Sequence, residues 1–242
     1  KDPYTIVFIP DTQYIMRPIG DVPTWIGKIT EWVKTERAAY DLNPATGTNI
    51  RAVVHLGDMC DNGGEPSLWF GEPTLQEWQT RANEDLRPNG IAFVPVLGNH
   101  DTNPTGCESD QSCADTYRTY FGGAFLTGQT DFVEATTVAD GTPYGHDTGT
   151  VFLVPTGNGA DRLAVVTGEW HRTATMESIG DAHRNWLGRM LTKYSGYPSI
   201  ISMHLNVQSS DSHTTCRKIG NTHYFHDEFD LHPNLVIAVS YT

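Results

Sequence analysis

Polar side chains with the chemistry of metal ligands stand directly after five apolar runs of this 242-residue sequence. The runs finish in the segments IPDTQ, HLGDMCD, LGNHD, TGEWH and MHLN, in this order along the chain. They supply carboxylate, amide and imidazole groups without a thiolate, from Asp11, Gln13, Asp58, Asn99 and His204. Such a set suits Mn²⁺, Fe²⁺, Zn²⁺ or Mg²⁺ better than a cysteine-rich structural zinc site. The residue types therefore indicate a site for divalent metal ions.

The charge of the chain suggests what such a site would do. Sixteen Lys and Arg residues stand against 29 Asp and Glu residues, which gives a formal net charge of −13. Because the sequence offers no basic stripe to follow a nucleic-acid backbone, we expect no sequence-specific binding of DNA or RNA. Two divalent ions held by two aspartates would leave a local charge of about +2, which attracts a phosphate ester and lowers the pKa of a bridging water.

Bringing these segments together requires a particular set of elements, and the apolar pattern predicts them. Nearly continuous runs of Val, Ile and Leu are typical of strands covered on both faces. The predicted strands are Tyr4–Pro10, Ile50–Leu56, Ile91–Leu97, Leu163–Thr167, Ser199–His204 and Asn234–Ser240, and the predicted helices are Pro23–Tyr40, Thr74–Arg87 and Ala182–Tyr194. Strands that alternate with helices favour an α/β fold, in which ligands bind at the carboxyl ends of the strands.

Side-chain details of these elements can also be predicted. Thr74 followed by Glu77 has the pattern of a capping box at a helix start. Trp25 and Trp32 share the apolar face of the first helix, and we expect both to pack in the core. His55 lies within the second apolar run and is expected to be a core histidine with its hydrogen bonds satisfied.

Length and composition favour one domain over residues 1–242. Apolar residues make up 38% of a chain long enough to bury its own core. No apolar run approaches the ~18 residues of a membrane-spanning helix. The Gly-, Thr- and Asp-rich segment 102–150 is expected to form a long excursion over the rim of the sheet, with a hairpin near Gly149–Pro155.

The cysteines bear on the cellular compartment. Cys107 and Cys113 bracket a short polar loop and could close a small disulfide, whereas Cys60 and Cys216 could be free, paired or buried. The sequence starts at Lys1 without a Met, as a processed product would. We therefore expect a secreted, extracellular protein.

The motifs after the strands resemble those of the calcineurin-like metallophosphoesterases. D-x-Q at Asp11, G-D-x-x-D at Gly57, G-N-H-D at Gly98 and a later strand ending in His204 follow in the order of that family, over nearly the whole chain. The variant D-T-Q-Y, in place of the commoner D-x-H, is similar to a bacterial and fungal branch whose members are often secreted. The resemblance implies a four-layer αββα sandwich, with two mixed sheets packed face to face and helices outside.

The resemblance also implies a role for each motif residue in a site with two divalent metal ions. The implied ligands are Asp11 and Gln13 on the first ion, Asp58 between both ions, and Asn99 and His204 on the second. His100 would stand over the leaving-group oxygen as a proton donor or electrostatic clamp, and Asp61 would orient the imidazole of His100. His171, in the segment GEWH, would either contact substrate or serve as a structural histidine at the rim.

The implied function is metal-dependent hydrolysis of a phosphate mono- or diester of a small molecule or lipid. Metal-activated hydroxide would attack directly, without a covalent phosphoenzyme. The family normally adds two histidines from a G-H-x-H turn after a late strand, whereas only Tyr241 and Thr242 follow Ser240 in this sequence. Two alternatives therefore stay open: a non-catalytic binding module with a degenerate site, and an incomplete fragment of a longer phosphoesterase.

Overall fold

Two β-sheets form the centre of the structure, a computed structural model that describes residues 3–13, 22–61, 71–102, 111–142, 144–157, 160–168, 176–204 and 232–241. One sheet contains three parallel strands in the order β1 (Thr5–Ile9), β2 (Ile50–His55) and β3 (Ala92–Pro95). The other has the strand order β4 (Phe132–Ala135), β5 (Thr150–Pro155), β6 (Arg162–Gly168), β7 (Ser199–His204) and β8 (Leu235–Tyr241). Strands β4, β5 and β6 pair antiparallel, and β6, β7 and β8 pair parallel.

The helices cover the outer faces of the sheets. They are α1 (Val22–Leu42), α2 (Glu72–Arg81), α3 (Asp115–Phe121), α4 (Gly123–Thr127) and α5 (Met176–Lys193). A π-helical turn, Ala82–Leu86, and a 3-10 turn, Arg87–Asn89, continue α2. Within the described ranges, none of the helices combines the length and the apolar character needed to cross a membrane.

Burial of apolar side chains explains the layering. The larger cluster contains residues of both sheets, including Val53 of β2 and Val165 of β6. A second cluster joins Val166 of β6 to Trp186 and Leu187 of α5. Successive residues of β6 thus face opposite sides of the sheet, as strand geometry requires. Helix, sheet, sheet and helix follow one another, which is the αββα arrangement that the resemblance implies.

All six predicted strands are present, with ends within two residues of the expected ones, and β5 lies in the predicted hairpin. The segment expected to be an excursion contains more structure than predicted, because α3, α4 and β4 all lie within it. Its Gln129 completes the free edge of β3: the amide oxygen accepts from Phe93 N and the amide nitrogen donates to Phe93 O, both at 2.9 Å. A side chain here replaces a neighbouring strand.

The predicted burial of two tryptophans is wrong. Trp25 is 40% exposed and Trp32 is 52% exposed, whereas Ile26 and Val33 beside them on α1 are fully buried. Adjacent helical positions are about 100° apart, so burial of Ile26 and Val33 turns the two rings toward the side of the helix. The ammonium group of Lys28 lies 4.7 Å from the centre of the Trp25 ring.

The predicted capping box at Thr74 is also wrong. Helix α2 begins at Glu72, after Gly71, and has no side-chain cap. Pro73 lies in its first turn, where a missing N–H costs no hydrogen bond and the fixed φ favours a helix start. Thr74 is consequently inside the helix, and its side chain is buried.

Candidate metal centre

The carboxyl ends of the parallel strands bring three motifs to one edge of the first sheet. Ile9 of β1 is aligned with His55 of β2, and His55 with Pro95 of β3. The segments that follow carry D-x-Q, G-D-x-x-D and G-N-H-D, so parallel pairing places them side by side. The second sheet contributes His204, the last residue of β7.

The structure brings all five predicted ligands together around Asp58. The amide nitrogen of Gln13 lies 2.9 Å from Asp11 Oδ2 and 3.3 Å from Asp58 Oδ2. His204 Nε2 lies 3.1 Å from Asp58 Oδ2 and 3.2 Å from Asn99 Oδ1. Asp58, Gln13 and His204 are buried. Residues far apart in the sequence therefore form one polar cluster.

Two glycines allow these segments to approach one another. A Cβ at Gly98 would lie 2.1 Å from Asp58 N and 2.2 Å from Asp58 Oδ1. A Cβ at Gly57 would lie 2.7 Å from His204 Cβ, and Gly57 has a φ of +91°. Asp58 itself has a φ of +50°, an uncommon conformation for a residue with a side chain. Such strained residues are frequent at functional sites.

The imidazole of His204 is held with a defined orientation and charge. Its Nδ1 donates to the main-chain carbonyl of Leu56 at 2.9 Å. Nε2 faces the carboxylate of Asp58, which only accepts when ionised, so both ring nitrogens carry protons. Burial opposes this charged form, but the hydrogen bond and the charge of Asp58 outweigh it and raise the pKa of His204.

The carboxyl group of Asp11 shows the effect of crowding. Burial raises the pKa of Asp11, and the nearby charge of Asp58 adds to this, against hydrogen bonds from Gln13 that lower it. The amide nitrogen of Gln13 donates to both carboxylates, and the imidazolium of His204 faces that of Asp58. Gln13 Oε1 is buried and has no hydrogen-bond partner among the residues that the structure describes. Rotation of the Gln13 side-chain amide by 180° would place Oε1 where Nε2 now lies, facing the carboxylates.

The donor set fits a divalent ion. Two ligand atoms that each lie about 2.0–2.2 Å from one ion, with an angle of about 90° at the ion, are about 3 Å apart. The distances between the polar atoms around Asp58 are close to this value. In the part of the chain that the structure describes, no three His, Cys, Asp or Glu side chains form a metal-binding group by themselves. The amides of Gln13 and Asn99 lie in the same cluster and can add to the carboxylate and imidazole donors. Asp11, Gln13, Asp58, Asn99 and His204 are the residues that could hold the ion.

His100 lies beside this cluster. Its main-chain N–H donates to Asp58 Oδ1 at 2.9 Å. Its ring Nδ1 lies 2.8 Å from the main-chain carbonyl of Asp61 and 3.5 Å from Asp61 Oδ1. Asp61 thus contacts the imidazole chiefly through its backbone. Since a carbonyl only accepts, Nδ1 carries a proton, and Nε2 can donate only when the ring is an imidazolium.

Asp101, the last residue of G-N-H-D, is a functional residue that the sequence analysis missed. It is fully buried; Oδ2 accepts from Gly98 N at 2.9 Å and Oδ1 from Cys60 N at 3.2 Å. Burial, and then the charge of Asp58, raise its pKa to about 7. Its carboxyl group joins the second and third motifs. Its place as the last residue of the G-N-H-D motif, directly after a strand end, was the signal available in the sequence.

The sequence analysis also named cysteines and His171. Cys60 is a buried thiol whose sulfur donates to Asp101 Oδ1 at 3.5 Å. His171, Cys107 and Cys216 lie outside the described residues.

The four layers and the donor cluster at the strand ends point to the class of metal-dependent hydrolases. Residues 4–231 match the profile of the calcineurin-like phosphoesterases. The chain belongs to this family, whose members use divalent metal ions to hydrolyse phosphate esters. The membership confirms the motif-based resemblance and the αββα fold.

A bacterial protein also aligns with nearly the whole chain. It is the uncharacterized protein YvnB of Bacillus subtilis (strain 168), which is 25% identical over 242 residues. The alignment covers 99% of this chain and 15% of YvnB. The chain therefore spans only about 15% of the length of that relative.

Proposed function

We propose that this chain hydrolyses a phosphate mono- or diester of a small molecule or lipid at the cluster around Asp58. One observation carries the proposal: the Asp58 carboxylate contacts groups from three other segments. Oδ2 faces Gln13 and His204, while Oδ1 accepts from the main chain of His100. The same carboxylate thus joins the proposed metal ligands to the proposed proton donor.

Divalent ions bound here would activate the attacking water and offset the negative charge of the phosphate. Asp11 and Asp58 would supply the anionic ligands, and Gln13, Asn99 and His204 the neutral ones. His204 would lose its Nε2 proton on binding, since only the unprotonated nitrogen can be a ligand. The Leu56 carbonyl would keep its other nitrogen protonated and fix the ring.

His100 would act on the leaving group. Its side chain remains 23% exposed, so the ring can meet a ligand from solvent. The Asp61 carbonyl fixes the proton on Nδ1, which leaves Nε2 to face the substrate. In the imidazolium form, Nε2–H would donate its proton to the departing oxygen as the ester bond breaks.

The test is turnover of chromogenic esters by the chain after chelation. Bis(p-nitrophenyl) phosphate and p-nitrophenyl phosphate would be supplied with and without Mn²⁺, to the parent chain and to Asp58→Asn. We expect Mn²⁺-dependent turnover that falls more than about 100-fold in Asp58→Asn, beyond the usual cost of losing an outer-shell partner. Asp161→Asn, at an exposed position directly before β6, is the matched control and should behave as the parent does.

The opposing outcomes are distinct. Mn²⁺ binding without turnover of either ester would favour the non-catalytic binding module. Turnover that needs no metal, or that survives in Asp58→Asn, would refute the proposal.

A further inference from the structure

His55, at the end of β2, is the centre of a buried hydrogen-bond network beside the metal centre. Its ring is fully buried, and Nε2 lies 3.2 Å from Thr12 Oγ1. Thr12 stands between Asp11 and Gln13 in the D-x-Q motif and is itself buried. The same hydroxyl donates to the carbonyl of Met59 at 3.2 Å.

The donors and acceptors in this network can be assigned from chemistry. A carbonyl can only accept, so the single hydroxyl proton of Thr12 goes to Met59. Thr12 Oγ1 must then accept from His55, which fixes a proton on His55 Nε2. His55 Nδ1 is left unprotonated: none of the described residues lies in hydrogen-bonding geometry to it, and the Gly57 backbone makes the smallest of the interactions that affect the pKa of the ring. Burial lowers the pKa of His55 to about 3, so the ring is neutral at ordinary pH.

The network ties the first motif to the second at more than one point. Besides its hydroxyl bond to Met59, Thr12 donates its main-chain N–H to the carbonyl of Asp58 at 3.2 Å. The ring of His55 packs edge-on against Trp78, with ring centres 4.9 Å apart, and so has little freedom to turn. The position of Thr12 in turn sets where Asp11 and Gln13 stand relative to the Asp58 carboxylate.

We propose that His55 is a positioning residue that donates from Nε2 to Thr12 and thereby holds Asp11 and Gln13 in register with Asp58. The inference rests on the proposed function for its catalytic meaning, but the geometry it describes exists without metal. His55 is neither a ligand nor an acid–base group in this account, because its ring is buried and its Nε2 proton is committed to Thr12.

Nuclear magnetic resonance of the metal-free chain tests the bond directly. Nitrogen shifts of His55 should show the Nε2–H tautomer. In His55→Phe, which keeps a ring against Trp78, and in Thr12→Val, the carboxamide protons of Gln13 should exchange with water about tenfold faster, because Gln13 loses its fixed position. Thr12→Ser keeps the hydroxyl and should match the parent chain.

Mn²⁺ titration provides a second readout. His55→Phe and Thr12→Val should each weaken Mn²⁺ binding by about 10- to 100-fold, and the double variant should be little worse than either single one. Thermal unfolding and circular dichroism would verify that each variant is folded. If His55→Phe does not fold, Thr12→Val and Thr12→Ser alone decide the question.

The results separate the inference from the proposed function. An Nδ1–H tautomer, or unchanged Gln13 exchange in folded Thr12→Val, would overturn the positioning role. A parent chain with no Mn²⁺ binding and no turnover would refute the proposed function, while the resonance data on the metal-free chain would still decide the role of His55.

Discussion

Replacing Gly98 by alanine should damage the metal centre although every proposed ligand residue is kept. The new Cβ would lie 2.1 Å from Asp58 N, whereas ordinary contact begins at 3.4 Å, so about 1.3 Å of separation is missing. The atoms it meets are the backbone and Oδ1 of Asp58, which cannot rotate away as a flexible side-chain end can. The backbone of Gly98 is also fixed in position, because its N–H donates to Asp101 Oδ2 at 2.9 Å. Asp58 must therefore move.

The size of the effect follows from that displacement. A misplacement of about 1 Å at a reacting centre costs on the order of 10²-fold in rate, and overpacking costs about 1–3 kcal/mol in stability. Gly98→Ala should therefore lower Mn²⁺-dependent ester turnover about 100-fold and weaken Mn²⁺ binding. Calorimetric titration, the chromogenic assay and urea unfolding would measure the three quantities.

Two other glycines provide controls. Apart from its chain neighbours, no described residue has an atom within 4 Å of a Cβ built at Gly196, so Gly196→Ala should leave both stability and the site unchanged. Gly90 is equally open but has a φ of +65°, so Gly90→Ala should cost about 1 kcal/mol of stability and leave Mn²⁺ binding intact. A folded Gly98→Ala that binds Mn²⁺ and turns over as the parent does would refute the close-approach reasoning.

Further predictions concern the leaving group, the sheet edge and the effect of pH on metal binding. His100→Ala should slow alkyl phosphates, which have poor leaving groups, about 10²- to 10⁴-fold, and p-nitrophenyl esters much less, in steady-state assays. Gln129→Leu removes both side-chain bonds to the backbone of Phe93, so urea unfolding should show a loss of about 2 kcal/mol or more. Because contact with Asp58 raises the pKa of His204, Mn²⁺ must displace a proton there. Below that raised pKa, calorimetric titration should therefore show Mn²⁺ affinity increasing about tenfold per pH unit.

Each of these predictions has a clear contrary result. Equal losses on alkyl and p-nitrophenyl esters would argue against His100 as a proton donor. A Gln129→Leu chain as stable as the parent would mean that the edge of β3 finds another partner. Mn²⁺ affinity that does not change with pH would show that His204 binds no metal or is already unprotonated.

The strand ends were predictable because their physical cause is local. Continuous apolar runs identify strands buried on both faces, and parallel pairing then places Asp11, Asp58 and Asn99 at one edge. His204 was also predicted as a donor from its place at a strand end, but its strand lies in the second sheet, and its role as a ligand of the second ion came from the resemblance. That residues 1–242 form a single domain stays a prediction.

Details that depend on tertiary contacts were not predictable. Trp25 and Trp32 have the spacing of residues on the buried face of a helix. Which side of that face is covered depends on how α1 packs on its sheet, and the sequence does not reveal this. The start of α2 depended on Pro73 rather than on Thr74. The bond between Thr12 and His55 spans 43 positions and has no sequence pattern of its own.

Anomalous diffraction from crystals of the chain soaked in Mn²⁺ would test the central claim most directly. The account predicts that the strongest anomalous peak lies against the carboxylate of Asp58, within bonding distance of His204 Nε2 or of Asp11. A strongest peak elsewhere, or no peak at Asp58 in a well-occupied soak, would contradict the assignment of this cluster as the metal centre.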